Sequence, residues 1–197
     1  MTARKDTSPT PLILASTSPR RSELLRHMGM EFSVIPSSAE EVHNEQLTAM
    51  EISQLNAYRK ARAVAKQFPD ALVLGADTLV YCGTTLFGKP QNMEDAYRML
   101  KQLQGRTHEV VTGVCLLRLR GHRQRIFAER TQVTFRHLGV KEIRDYMALI
   151  NPLDKAGAYA IQEHGDKIVE RVSGSLSNVI GLPTERLQQE LLMWQRL

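Results

Sequence analysis

The sequence predicts an α/β fold built on a mixed sheet, and three observations point there. Apolar runs of strand length alternate with segments of helical periodicity through most of the chain. Two long runs, THEVVTGVCLLRL and RIFAERTQVTFRHL, flank Gly121 as an antiparallel hairpin and break the alternation expected of a purely parallel sheet. A hydrophobic content of 42% over 197 residues is enough for a sizeable core.

The elements follow in order. Residues 11–16 (PLILAS) read as a short buried strand. Ser18 is then placed as an N-cap, with Pro19 at the first helical position, where its missing N–H costs nothing. Leu24, Leu25 and Met28 share one face, and Gly29 closes the helix. EFSVIPS reads as a second strand.

A helix over 49–67 opens on the capping box Thr48-Ala-Met-Glu51 and packs through Ile52, Leu55, Tyr58, Ala61 and Ala65. ALVLGADTLVY is a strongly apolar strand interrupted by Gly75 and Asp77, and Leu86–Phe87 look like a returning strand. The next helix runs from an Asn92 cap to Gly105. After the hairpin, a helix carrying Ile143, Tyr146, Met147 and Ile150 stops before Asn151-Pro152. A Gly/Ala-rich piece (DKAGAYAIQEHG), a strand KIVERV, a turn at Ser173-Gly174 and a helix after Pro183 complete the order.

No repeat, low-complexity block or linker divides the chain, which reads as one domain over 11–197 behind a loose, disordered leader, MTARKDTSPT. PLILA is far too short for a membrane span. Cys82 and Cys115 lack metal-type spacing and fit reduced thiols in a cytoplasmic protein better than the alternative, a disulfide. A net charge of +5 suits a partner carrying phosphates, nucleic acid or free nucleotide alike.

Arg20 and Arg21 stand where a buried strand turns into a Ser-Pro-capped helix, whose free N–H groups and positive dipole end favour anions. Guanidinium groups there either add bidentate donors for phosphate oxygens or remain solvated and paired with Glu23. Asp77 interrupts an apolar strand, where a carboxylate needs hydrogen bonds or a cation. It either holds Mg²⁺ or accepts a proton from water, or it caps a turn. Gly75 before it admits another backbone or a ligand.

GTTLFGK matches the phosphate-loop pattern only until Pro90, which stands where a Mg²⁺-binding Ser or Thr is required. Lys89 is left as a lone loop cation, phosphate-binding or solvated. The histidines are scattered, without an HExxH pair or a Cys/His cluster, so zinc is not expected. RLRGHRQR, at the hairpin tip, is the strongest argument for nucleic acid, but without interleaved aromatics a solvated end fits it better.

Several segments together resemble the Maf-like nucleoside triphosphate pyrophosphatases, also called septum-formation inhibitor proteins. They are LASTSPRRSELL, AEE at 39–41, RKARAVA at 59–65, LGADTLV, GKP at 88–90, LQGRTHEVVTGV, PLDKAGAYAIQEHG and NVIGLP, in the family's order across nearly the whole chain. The resemblance implies a curved mixed sheet with flanking helices, in two lobes around a central groove. It also implies metal-dependent hydrolysis of a nucleoside triphosphate to monophosphate and pyrophosphate.

Asp77 stands at the family's proton acceptor. Arg20, Thr78 and Gln162 match the subgroup acting on dTTP and UTP, rather than the one preferring 7-methyl-GTP, which has a tryptophan where Arg20 stands. Arg20, Arg21, Lys60 and Lys89 are expected to neutralise the triphosphate, with Ser18 beside them. Glu41, Asp77 and Asp154 are expected to hold Mg²⁺ or Mn²⁺. The Gln162 amide offers a donor and an acceptor to the edge that thymine and uracil share. Homodimers are common in the family, no stable nucleic-acid partner is expected, and Leu176 stands where the family more often has an aromatic residue.

Overall fold

The computed structural model describes residues 11–44 and 46–196; the expected leader lies outside them. Among these residues seven strands form one mixed sheet: β1 (Leu12–Leu14), β2 (Ser33–Val34), β3 (Leu72–Cys82), β4 (Thr85–Phe87), β5 (Thr107–Arg118), β6 (Arg123–Phe135) and β7 (Val169–Ser173). Their order is β2-β1-β3-β5-β6-β7, and β4 folds back on the end of β3. β1 pairs in parallel with β2 and β3, whereas β3, β5, β6 and β7 are antiparallel. Among the described residues six α-helices cover the sheet: α1 (Pro19–His27), α2 (Ala49–Ala65), α3 (Met93–Leu103), α4 (Val140–Leu149), α5 (Leu176–Ile180) and α6 (Thr184–Gln195).

Local signals explain most boundaries. Thr48 and Glu51 make the reciprocal capping box of α2, and Asn92 caps α3 by accepting from the Asp95 N–H. Gly29, at φ +71, lets the chain leave α1. Ser18 sits at the N-cap of α1, but its hydroxyl makes no capping bond and its own N–H donates to Ser16 Oγ instead. The expected EFSVIPS strand shrinks to Ser33–Val34, both exposed, because Pro36 has no N–H to extend the ladder. α5 was not expected; it is a single turn capped by Ser175 and ended by Gly181. Cys82 and Cys115 are free and buried.

The core divides along β3. At its start, Leu72, Leu74 and Ala76 pack with Leu25, Leu187 and Trp194 under α1 and α6, while Val73 faces Ala57, Ala61 and Val64 of α2. At its end, Val80 and Cys82 join a second core with Leu100, Phe135, Ile143 and Tyr146 beneath α3 and α4. Between the two lies a polar seam. Thr78 Oγ1 meets Thr112 Oγ1 at 3.0 Å, Thr112 donates to the Asn178 carbonyl at 3.1 Å, and Asn178 Nδ2 donates to Thr131 Oγ1 at 3.0 Å. Asp77 and Thr78 sit at this junction of two lobes.

The basic hairpin tip is engaged by the chain itself. Arg120 pairs with Asp70, Arg125 with the buried Glu190, and Arg123 lies over the Trp194 ring, 4.4 Å from its centroid, while donating to the Trp194 carbonyl.

Candidate active site

Two glycines set the floor of the site. A Cβ on Gly75 would lie 2.2 Å from the Ala57 carbonyl oxygen, and one on Gly113 2.2 Å from the Ser53 carbonyl carbon. The α2 backbone therefore rests directly on β3 and β5, so the approach that Gly75 permits is that of a helix. Asp77, paired across the sheet with Gly113, comes under one face of that helix. Asn56 and Lys60, one turn apart, both reach its carboxylate.

Asp77 is only 3% exposed. Lys60 Nζ donates to its Oδ1 at 2.6 Å and Asn56 Nδ2 to its Oδ2 at 3.0 Å. These partners answer the cost of burying a carboxylate, and neither is that of a turn cap. The same Lys60 Nζ donates to Glu41 Oε1 at 2.7 Å, so one ammonium bridges both carboxylates. Burial works against charge on Glu41, but the Lys60 hydrogen bond and the charges of Lys60, Lys89 and His43 outweigh it and hold its pKa below the ordinary value.

Every residue singled out from the sequence for the site lines one cleft of about 640 Å³. The two arginines take different places in it. Arg21 donates from Nε to the Gly181 carbonyl (2.9 Å), from Nη1 to Ser16 Oγ (3.1 Å) and from Nη2 to Thr78 Oγ1 (3.0 Å). Burial lowers its pKa. Among the described residues Arg20 meets Asp154 alone, loosely, at 3.7 Å to the carboxylate and 3.5 Å to the carbonyl, with its guanidinium on the cleft lining. Ser18 is half-buried, and Lys89 and Gln162 are exposed on the cleft lining.

Asp154, on the lining of the same cleft, is paired with Lys155 and Arg20. Burial opposes its charge, and the hydrogen bond and charge of Lys155, with that of Arg20, lower its pKa nevertheless. Lys155 itself was not singled out from the sequence. It is 4% exposed, and its Nζ meets the Asn151 carbonyl (2.9 Å), Asp154 Oδ1 (2.8 Å) and Glu163 Oε2 (3.3 Å). It thereby ties both ends of the segment that carries Gln162. Asn56 also escaped the sequence reading, since an Asn on a helix face carries no motif. Behind the cleft, the buried His108 bonds Tyr159 through Nε2 at 2.8 Å.

No group of three or more His, Cys, Asp or Glu side chains suited to a metal occurs among the described residues. Glu41 and Asp77 nevertheless converge on one cation, and a Mg²⁺ site commonly uses one or two carboxylates completed by phosphate oxygens and water. That pair fits a divalent ion; Asp154 lines the same cleft and is paired with Lys155.

A family profile described as Maf-like protein matches residues 11–194. Among similar proteins, the dTTP/UTP pyrophosphatase of Akkermansia muciniphila is 47% identical over 88% of this chain and 90% of the relative. That of a Geobacillus species is 44% identical over 91% and 96%, and that of Moorella thermoacetica 45% identical over 93% and 94%.

Proposed function

The chain belongs to the Maf-like protein family, and on that premise we propose that it hydrolyses dTTP and UTP to the nucleoside monophosphate and pyrophosphate. The observation that carries this reading is the buried Asp77 carboxylate at the junction of two lobes, on the wall of a cleft rich in cations. Lys89, and Arg20 with its loose partner Asp154, supply positive charge for a triphosphate, while Arg21, with three N–H contacts inside the protein, shapes the wall. Asp77 accepts a proton from the water that attacks the α-phosphorus. The bond between that phosphorus and the bridging oxygen breaks, and pyrophosphate departs towards the cations.

Mg²⁺ or Mn²⁺, held by Glu41 and Asp77, would supply Lewis-acid stabilisation of phosphoryl oxygens. Lys60 neutralises the same two carboxylates and lines the cleft. Gln162 reads the O4 acceptor and N3–H donor shared by uracil and thymine. The single methyl that separates these bases gives little discrimination, of about 1–3 kcal/mol. The enzyme acts in the cytoplasm on surplus or noncanonical pyrimidine nucleotides. Among the described residues, no helix is long and apolar enough to cross a membrane.

The test is a panel of normal and modified nucleoside triphosphates with Mg²⁺ or Mn²⁺, scoring monophosphate and pyrophosphate separately from orthophosphate. Pyrophosphate release led by dTTP and UTP is expected. Preference for 7-methyl-GTP would overturn the role given to Gln162, and no hydrolysis of any member would overturn the enzyme reading.

A further inference from the structure

We infer that Asn56 is a positioning residue for this reaction, fixing the Asp77 carboxylate and the Glu41 segment through one amide; the inference rests on the pyrophosphatase reading of the cleft. Asn56 is fully buried, at 0% exposure, and stands behind the cleft wall rather than on it. Its Oδ1 accepts from the Val42 N–H at 2.8 Å, and its Nδ2 donates to the Val42 carbonyl at 3.2 Å. The side chain thus grips both backbone groups of the residue that follows Glu41, as a neighbouring strand would. The same Nδ2 reaches Asp77 Oδ2 at 3.0 Å.

The two partners of Asp77 differ in stiffness. Lys60 holds Oδ1 on a flexible four-carbon stem and shares its ammonium with Glu41, so a phosphate can draw it away. Asn56 has a short side chain on a helix whose backbone is seated against Gly75 and Gly113. Its donor stays where the helix puts it, and holds Asp77 in one orientation while Lys60 responds to substrate.

The test is a double-mutant cycle read as kcat and KM for dTTP. For Asn56→Ala, kcat is expected to fall about tenfold while KM stays within about twofold, the size typical of losing an outer partner of a site carboxylate. In an Asp77→Asn background, Asn56→Ala is expected to cost nothing further, because its effect runs through Asp77. A merely destabilising change would lower residual turnover in both backgrounds alike.

Asn56→Leu provides a second variant should Asn56→Ala not fold: it has nearly the same size and fills the buried position, but carries no donor for Asp77. Wild-type kcat in either folded variant, or losses that multiply in the double mutant, would overturn the inference. Wild-type turnover by Asp77→Asn alone is the distinct signature of an error in the reading of the cleft, and it would remove the reason for Asn56 to matter.

Discussion

Arg21 Nη2 donates to Thr78 Oγ1 at 3.0 Å, and that bond separates the roles of two adjacent arginines. Thr78 in turn meets Thr112 at 3.0 Å, so Arg21 is the cleft end of the polar seam that divides the two cores. Arg20, one residue earlier, faces the cleft with only a loose partner in Asp154.

Substitution should therefore split the pair. Arg21→Lys cannot reach Ser16, Thr78 and Gly181 from a single nitrogen, and is expected to cost about 2 kcal/mol, which is ~4–8 °C in Tm for a chain of this size. Arg20→Gln is expected to leave Tm unchanged and raise KM for dTTP roughly tenfold, about 1.4 kcal/mol of binding. Thermal melts beside steady-state kinetics decide it. Equal Tm values with matching rises in KM would return Arg21 to the substrate.

Gly75→Ala tests whether the close seating of α2 makes the site. The new Cβ would meet the Ala57 carbonyl at 2.2 Å and the Ala61 nitrogen at 2.8 Å, both backbone atoms that cannot swing aside. Overpacking of this kind costs about 1–3 kcal/mol, and lifting the helix withdraws Asn56 and Lys60 from Asp77. Urea denaturation should report the lost stability, and turnover of the folded fraction should fall as well. A stable, fully active Gly75→Ala would show that the helix position does not control the carboxylate.

Much of this was legible because local chemistry announces itself. The Thr48–Glu51 box, the Asn92 cap and the Gly121 hairpin each needed only a few neighbouring residues. Asp77 stood out because a carboxylate in an apolar strand demands a partner. What stayed hidden depends on distant pairing. Arg21 is committed to Gly181, far along the chain, Asn56 to Val42 and Asp77, and Lys155 to Glu163 across a turn. α5 has the Ser175 cap and the Gly181 stop, but too few residues between them to show a helical period. Likewise, the charges of the hairpin tip gave no hint that Trp194 and Glu190 would take them up.

Gln162 bears on specificity. With its amide replaced in Gln162→Glu, the carboxylate still accepts from N3–H but turns a lone pair towards O4, and an unmade polar contact of this kind costs about 1–3 kcal/mol. Cytosine offers an amino donor at that position but a bare acceptor at N3, so the carboxylate gains one contact and loses the other with that base. The expected outcome is a fall of about tenfold in kcat/KM for dTTP, with no compensating gain for dCTP. An unchanged kcat/KM for dTTP would move base reading to another part of the cleft.

His108 predicts how stability depends on pH. It is 1% exposed, and burial pushes its pKa down from 6.5 to about 4, with Nε2 bonded to Tyr159 and Nδ1 buried without a partner among the described residues. Below pH 6.5 the unfolded chain takes up a proton at this histidine while the folded protein does not, so acid favours unfolding. The stability tied to neutral His108 is complete above pH 6.5, declines as pH falls, and is gone once the folded form also protonates near pH 4. The gap corresponds to about 3 kcal/mol. Glu41 and Asp154, whose pKa values are lowered, lose their contributions only as pH falls from about 4.5 and 3.8 downwards, so the upper part of the window reports His108 without them. Replacement by Gln, which also hydrogen-bonds Tyr159 but does not titrate, should flatten the fall in Tm between pH 6.5 and 4.5. Parallel Tm profiles for the wild type and His108→Gln would show that the acid loss comes from elsewhere.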